Sequence, residues 1–185
     1  MTFQLRPLIV SAACLLASGG AFADVLYQQL PTDPANNQWS DAPTGSPYLQ
    51  AIPALAGATL DKIVWWGFHG PLSMGEGADA LEVLLNGTAV AGSLTKEADL
   101  TYAGLTRYTL DIVDIALTAT EIGVWNNSLD VEWIWAGASG NDTAGNPATA
   151  FRLEGTRAAS VPEPTTLALL GLAGAAFLRT RRARA

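Results

Sequence analysis

Cysteine is almost missing from this chain: one residue in 185, Cys14, and it lies inside an apolar N-terminal run. Histidine also occurs once, at His69. The region after residue 23 therefore holds neither a disulfide framework nor a thiolate zinc site. A Ser-His-Asp triad would have a single imidazole to draw on. The surroundings of that imidazole, Gly67-Phe68-His69-Gly70, carry no nucleophile-elbow pattern, so His69 reads as a loop residue at a strand end. Positive charge is scarce as well. Residues 24–160 contain five basic and sixteen acidic side chains, a net charge of −11. A surface this acidic repels phosphate backbones and excludes nucleic acid as a partner. Heptads and long helical periods are missing too, which argues against a bundle.

What is present begins with two unlike ends. Residues 1–23 carry Arg6, then an apolar stretch over 7–17, then Ala21-Phe22-Ala23. Positive start, apolar middle and small-x-small finish make a helical secretion signal, with signal peptidase cutting between Ala23 and Asp24. Cys14 is not placed for lipidation, since Ser11 stands where a lipobox has Leu.

The C-terminal end, residues 161–185, starts with Val161-Pro162-Glu163-Pro164. Its two prolines hold the chain extended. Fourteen uncharged residues follow over 165–178, then Arg179, Arg181, Arg182 and Arg184. An apolar helix ending in arginines keeps those arginines on the cytoplasmic side and leaves the acidic domain outside. Fourteen helical residues span about 21 Å against a hydrocarbon core of about 30 Å, so the segment suits a temporary anchor better than a permanent one.

The order Pro-Glu-Pro, then Leu167-Ala168-Leu169-Leu170-Gly171-Leu172-Ala173-Gly174, then the arginine cluster resembles the PEP-CTERM sorting signal of Gram-negative bacteria. The resemblance covers the last 25 residues. It implies an exosortase, a membrane-embedded cysteine transpeptidase-like enzyme, acting near Pro162–Pro164 after a transient stay in the inner membrane. It also implies delivery to the cell surface or beyond, and an association with exopolysaccharide and biofilm matrix.

Between the ends, residues 24–160 read as one all-β domain. Short alternating runs are separated by turn signals: 25–30, 48–52, 59–68, 80–85, 88–94, 107–113, 131–135 and 149–153. Asn86-Gly87 is the strongest hairpin signal. Residues 33–47 and 137–147 read as loops, and 117–125 is ambiguous between helical turn and strand. In the run 59–68, alternation puts Leu60, Lys62, Val64, Trp66 and Phe68 on one face and Asp61, Ile63 and Trp65 on the other. These runs predict an antiparallel two-sheet β-sandwich of jelly-roll type, with a single closed barrel as the second choice.

All six tryptophans fall in this domain. Exposed aromatic faces on a β-sandwich suit sugar rings. The tryptophans read first as filling the core between two sheets; the hypothesis set beside that is that at least one of Trp65, Trp66, Trp133 and Trp135 is exposed and touches glycan. No catalytic or cofactor-binding residue is assigned. Carboxylates are plentiful, and a facing pair in a cleft would indicate a glycoside hydrolase. Asn141-Asp142-Thr143 with Asp130 offers oxygen ligands for a structural calcium. The favoured reading is an exported, non-enzymatic surface or extracellular matrix protein; a carbohydrate-binding module is the alternative.

Overall fold

The computed structural model describes residues 23–71 and 79–157. The expected signal helix, the sorting motif, the arginine cluster and the apolar C-terminal helix lie outside these residues. No helix among the described residues is long and apolar enough to cross a membrane.

The described residues are all-β, and every strand pairing is antiparallel. In chain order the strands are β1 (Asp24–Gln29), β2 (Gln38–Trp39), β3 (Tyr48–Ala51), β4 (Ala58–His69) and β5 (Leu81–Leu85). Next come β6 (Thr88–Val90), β7 (Gly92–Ala98), β8 (Thr106–Ala116) and β9 (Glu121–Asn126). The last four are β10 (Trp133–Trp135), β11 (Gly137–Asn141), β12 (Pro147–Thr149) and β13 (Phe151–Arg157).

The long strand β4 is the spine of the larger sheet. One of its edges pairs with β8, which in turn carries β7. Its other edge pairs first with β13, over Ala58 to Trp65, and then with β10, over Gly67 to His69. β1 extends the sheet beyond β13, and β2 extends it beyond β10. A smaller sheet runs β3-β9-β5-β6, and β11 and β12 form a ribbon of their own.

One apolar cluster joins the two sheets. It takes Leu60, Ile63, Trp65, Tyr108, Trp133, Trp135, Phe151 and Leu153 from the larger sheet, and Val83, Leu85, Ile122 and Val124 from the smaller one. Burying this much aliphatic and aromatic surface is the main driving force for the fold, at roughly 1.5–3 kcal/mol per large side chain. Two sheets that separate in this way do not form the single closed barrel held as second choice.

The strand and hairpin expectations hold in outline. Asn86 and Gly87 both have positive φ, 49° and 75°, as the two-residue turn between β5 and β6 requires. Of the ambiguous stretch 117–125, residues 121–125 fall in β9, a central strand of the smaller sheet.

Three local expectations are corrected. Leu60 does not share the face of Val64 and Trp66. The register of β4 slips at Asp61 against both neighbours, and this bulge turns Leu60 inward beside Ile63 and Trp65. Residues 88–94 are not one returning strand. β6 stops at Val90, and the chain crosses to the larger sheet, where β7 lies against β8. Gly92 permits that approach, because a Cβ there would meet the Asp111 carbonyl at 2.4 Å. Finally, residues 137–147 are mostly the β11–β12 ribbon rather than loop, and residues 38–39 of the first predicted loop form β2.

Buried polar side chains tie these loops down. Asp41 is fully buried; one carboxylate oxygen accepts from the Thr44 amide at 3.0 Å and the other from the Trp133 amide at 2.7 Å. Gln50 is also fully buried and accepts from the Thr149 amide at 2.6 Å. Each such bond satisfies a backbone donor that would otherwise be stranded away from water.

Candidate functional site: the outer face of the larger sheet

The four tryptophans Trp65, Trp66, Trp133 and Trp135 are all buried, at 0–3 % exposure, as the core-filling reading has it, so none presents a face to a ligand and the glycan hypothesis on these four falls. The inner three are consumed by packing. Trp65 stacks on Tyr108 with ring centroids 5.5 Å apart and planes 7° apart, and Tyr108 meets Trp133 edge-on at 6.0 Å. The Trp135 indole donates to the Ala150 carbonyl at 2.8 Å. Trp66 faces the other side of the sheet, as alternation requires, but a loop covers it there. Its indole N–H donates to Asp99 at 2.7 Å, and the Tyr102 ring meets it edge-on at 6.1 Å.

Two tryptophans are not buried: Trp125 is half-buried, and Trp39 is exposed at 42 %. Nothing in the alternation pattern singles it out, because it sits in a stretch rich in Pro, Asn and Asp. Its position follows from pairing. Ile134 stands opposite Trp39 on one side and opposite Phe68 on the other, so the three side chains form one row across β2, β10 and β4. This row lies on the outer face of the larger sheet, on the same side as Val64 and Trp66.

Phe68 also lines a surface groove of about 400 Å³. Phe68 and Ala136 line it together with residues 31–34 on one wall and residues 102–105 on the other. Both walls are held by side chain to backbone bonds. Asp33 accepts from the Ala35 amide at 3.0 Å, capping a short 3-10 turn over Pro34–Asn36. Asn37 accepts from the Gly137 amide at 2.7 Å. On the facing wall, Asp99 accepts from the amides of Thr101 and Tyr102 with the carboxylate oxygen that Trp66 does not use. Burial pushes the Asp99 carboxyl upward. Bonds from the Trp66 indole and from the Tyr102 and Thr101 amides, with the nearby Arg107 charge, outweigh it and hold the carboxyl below its usual value. The groove is thus an apolar, aromatic-sided trough with a carboxylate and an amide on its rim, shaped before any ligand arrives.

The remaining chemistry-bearing residues lie elsewhere. His69 is the last residue of β4, and its Nε2 is 2.7 Å from Asp79; Lys96 reaches the other oxygen of Asp79 at 3.0 Å. Asp111 and Glu154 flank Lys62, at 3.7 and 3.6 Å from its Nζ. These two carboxylates share a cation on a strand face and line no groove described above. Asp61, in the bulge beside them, has its carboxyl raised by burial; Lys62 pulls it back, while Asp114, Glu154 and Asp111 push it further up. Asp142, one of the oxygen donors offered for a structural calcium, organises a turn. Its oxygens accept from the amides of Ala51, Ala144 and Asn146 at 2.8–2.9 Å. Among the described residues no three His, Asp or Glu side chains form a cluster suited to a metal ion.

The two termini of the domain meet at the opposite end. Asp24 opens β1 opposite Gly155, and Arg157 closes β13 opposite Ala58 at the start of β4. Phe68 lies ten residues further along β4, about 33 Å away at strand rise. Whatever is attached at residue 158 and beyond therefore leaves from the end remote from the groove. Residues 160–182 match the family model for the PEP-CTERM protein-sorting motif. The chain carries this motif. The PEP-CTERM motif implies export, transient membrane anchoring and sorting by an exosortase in a Gram-negative bacterium. It covers the tail and does not extend into the two-sheet domain. No curated protein and no solved structure matches the chain.

Proposed function

We propose that this is an exported, non-enzymatic protein of the cell surface or extracellular matrix, built on a jelly-roll-like β-sandwich, delivered through its PEP-CTERM tail and associated with exopolysaccharide. The observation that carries the reading is the placement of the motif. It begins at Ser160, three residues after the last strand ends at Arg157, so it is an address appended to a complete domain. The arginines after the apolar run hold the tail's end in the cytoplasm, which puts the domain outside. Signal peptidase removes the leader before Asp24, and the exosortase removes the tail.

Mass spectrometry of the exported protein tests this. The expected product begins at Asp24 and yields no peptide covering residues 167–184. Secreted protein that retains those peptides would overturn the sorting step.

A second reading is favoured by one specific feature, the groove flanked by Phe68 and Tyr102 with exposed Trp39 in the adjoining row. Flat aromatic surface beside a hydrogen-bonding rim suits a sugar ring. With a domain charge of −11 the ligand is a neutral glycan rather than a polyanionic one. Retention on immobilised neutral polysaccharide, abolished by Tyr102→Ala, supports this reading. Passage of the unmodified domain through every such column removes it.

A further inference from the structure

The open edges of the two sheets are not equally guarded. β1 has a bulge between Val25 and Tyr27, and the Arg157 guanidinium donates to its Leu26 carbonyl at 2.8 Å. β2 is two residues long and β6 three. β3 already gives its Tyr48 amide to the Ser40 hydroxyl at 2.7 Å and its Ala51 amide to Asp142 at 2.9 Å. β7 has none of these protections. All seven of its residues are exposed, and none is proline. It runs against β8 with no break in register, from Gly92 opposite Ile112 to Ala98 opposite Thr106. Among the described residues no strand pairs with its other edge. Charge is a common guard of such an edge. Here both charged side chains are neutralised within the chain: Lys96 reaches Asp79 at 3.0 Å, and Glu97 accepts from Arg107.

An unguarded row of amides and carbonyls takes an added strand. The sequence of β7 fits a second copy of itself. A two-fold axis perpendicular to a sheet keeps every residue on its own face, so opposed residues differ by an even number. Centring the axis on Lys96 sets like charges opposite each other, and centring it on either Lys96 or Leu94 leaves two residues of each strand unpaired. Centring on Thr95 pairs the whole of Gly92–Ala98. Thr95 then meets Thr95 of the second copy, Leu94 meets Lys96, Ser93 meets Glu97 and Gly92 meets Ala98. No like charges stand opposite each other. Leu94, 40 % exposed, is covered by the methylene stem of Lys96. Thr95 already lies opposite Thr109, so the outer face acquires a row of four threonines across the joint.

We infer that β7 is a self-association edge: two copies of the chain pair β7 with β7, antiparallel about a two-fold axis at Thr95, and join their larger sheets into one continuous sheet. The charge of −11 on each domain opposes the approach. Salt screens that repulsion beyond about 8 Å at physiological ionic strength. Association therefore tightens as salt rises, the reverse of a contact made by ion pairs. The inference stands independently of glycan binding.

The test uses the full-length chain in detergent micelles, with mass read by light scattering over a concentration series into the high micromolar range. Two chains per particle are expected, and the dimer fraction should grow with salt. Thr95→Lys and Thr95→Glu each place like charges on the axis, and each should raise the dissociation constant at least about tenfold. Mixing the two variants should restore a dimer, because the axis then sets Lys opposite Glu. Trypsin resistance checks that each variant is folded. A second readout leaves the edge uncharged. On a Cys14→Ser background, Thr95→Cys brings two Cα atoms to about 4.5–5.5 Å, within disulfide range. Mild oxidation should link it at least about tenfold faster than Val113→Cys, which is 86 % exposed but off the edge. A chain that stays monomeric throughout the series overturns the inference. So does a dimer that persists in both charged variants, a mixture of the two that stays monomeric, or a Thr95→Cys chain that links no faster than Val113→Cys.

Discussion

β4 carries two adjacent tryptophans to opposite faces of one sheet, and both end up buried by different means. Trp65 is covered by a second sheet, inside a cluster that draws on both layers of the domain. Trp66 sits in a small cluster with Val64, Ala136 and Ala150, roofed by Tyr102 and Leu105 from a single loop. The inner face is sealed by many strands at once. Over Trp66 the outer face is covered by one loop, which the Asp99 carboxylate ties to the indole and backbone bonds from the Asp99 and Leu105 amides close. The lesson concerns where tolerance lies: the inner face sets stability, and the outer face has room to set function.

The sharpest way to break this contrast is Trp133→Ala. Trp133 is fully buried, touches Tyr108, and donates its indole N–H to the tyrosine hydroxyl at 3.4 Å. Removing it leaves a large cavity between the sheets and an unpaired partner. The expected loss is about 3–5 kcal/mol in chemical denaturation. A loss below about 1 kcal/mol would mean that the inner face is no more critical than the outer.

Asp99→Ala comes next. It strands the Trp66 indole N–H and releases the amides of Thr101 and Tyr102. The expected cost is about 1–3 kcal/mol, with Trp66 fluorescence shifting to longer wavelength as water reaches the ring. Asp99 also gives the contrast a pH dependence. Its carboxyl is held low in the folded state, as is that of Asp142, where burial raises the carboxyl but the amides of Ala51, Asn146 and Ala144 outweigh it. A depressed carboxyl contributes stability above its unfolded value, about 3.9, and loses it as pH falls through the lower folded value. Unfolding free energy should therefore fall below about pH 4. Asp99→Asn should flatten that fall. Asp61 works in the opposite sense: its raised carboxyl disfavours the fold at neutral pH, so Asp61→Asn should stabilise at pH 7 and change nothing where the carboxyl is already protonated. A denaturation series across pH for the three proteins checks both signs.

The parts of this fold that were legible in the sequence are those set by neighbouring residues. Alternation located β4 and β10, and Asn86-Gly87 placed the turn between β5 and β6. The parts that were not legible depend on partners far along the chain. Trp66 is hidden because Asp99, 33 residues later, holds a loop over it. Leu60 turns inward because a bulge at Asp61 interrupts strict alternation, and alternation carries no mark of where it slips. The chain leaves the smaller sheet after Val90 because Gly92 can sit against β8, a choice visible only once β8 is in place. The candidate groove was missed for the same reason. Its walls are separated by about seventy residues and are brought together by β4, β8 and β10. The tail motif, by contrast, is a linear signal over residues 160–182, and it was readable from residue order alone.

The smallest expected change in stability belongs to Trp39→Ala, and it divides the two faces most cleanly. Trp39 is 42 % exposed on the short outer strand β2, with Ile134 as its row neighbour. Truncating a half-exposed side chain outside the main core should move the unfolding free energy by no more than about 0.5 kcal/mol. If the outer face is the ligand-facing surface, the same change should weaken retention on neutral polysaccharide severalfold while leaving the denaturation midpoint in place. If Trp39 instead acts as a structural cover for Ile134, stability should drop and retention should follow it in proportion. The ratio of the two effects, measured on one variant, is what assigns the outer face to binding or to packing.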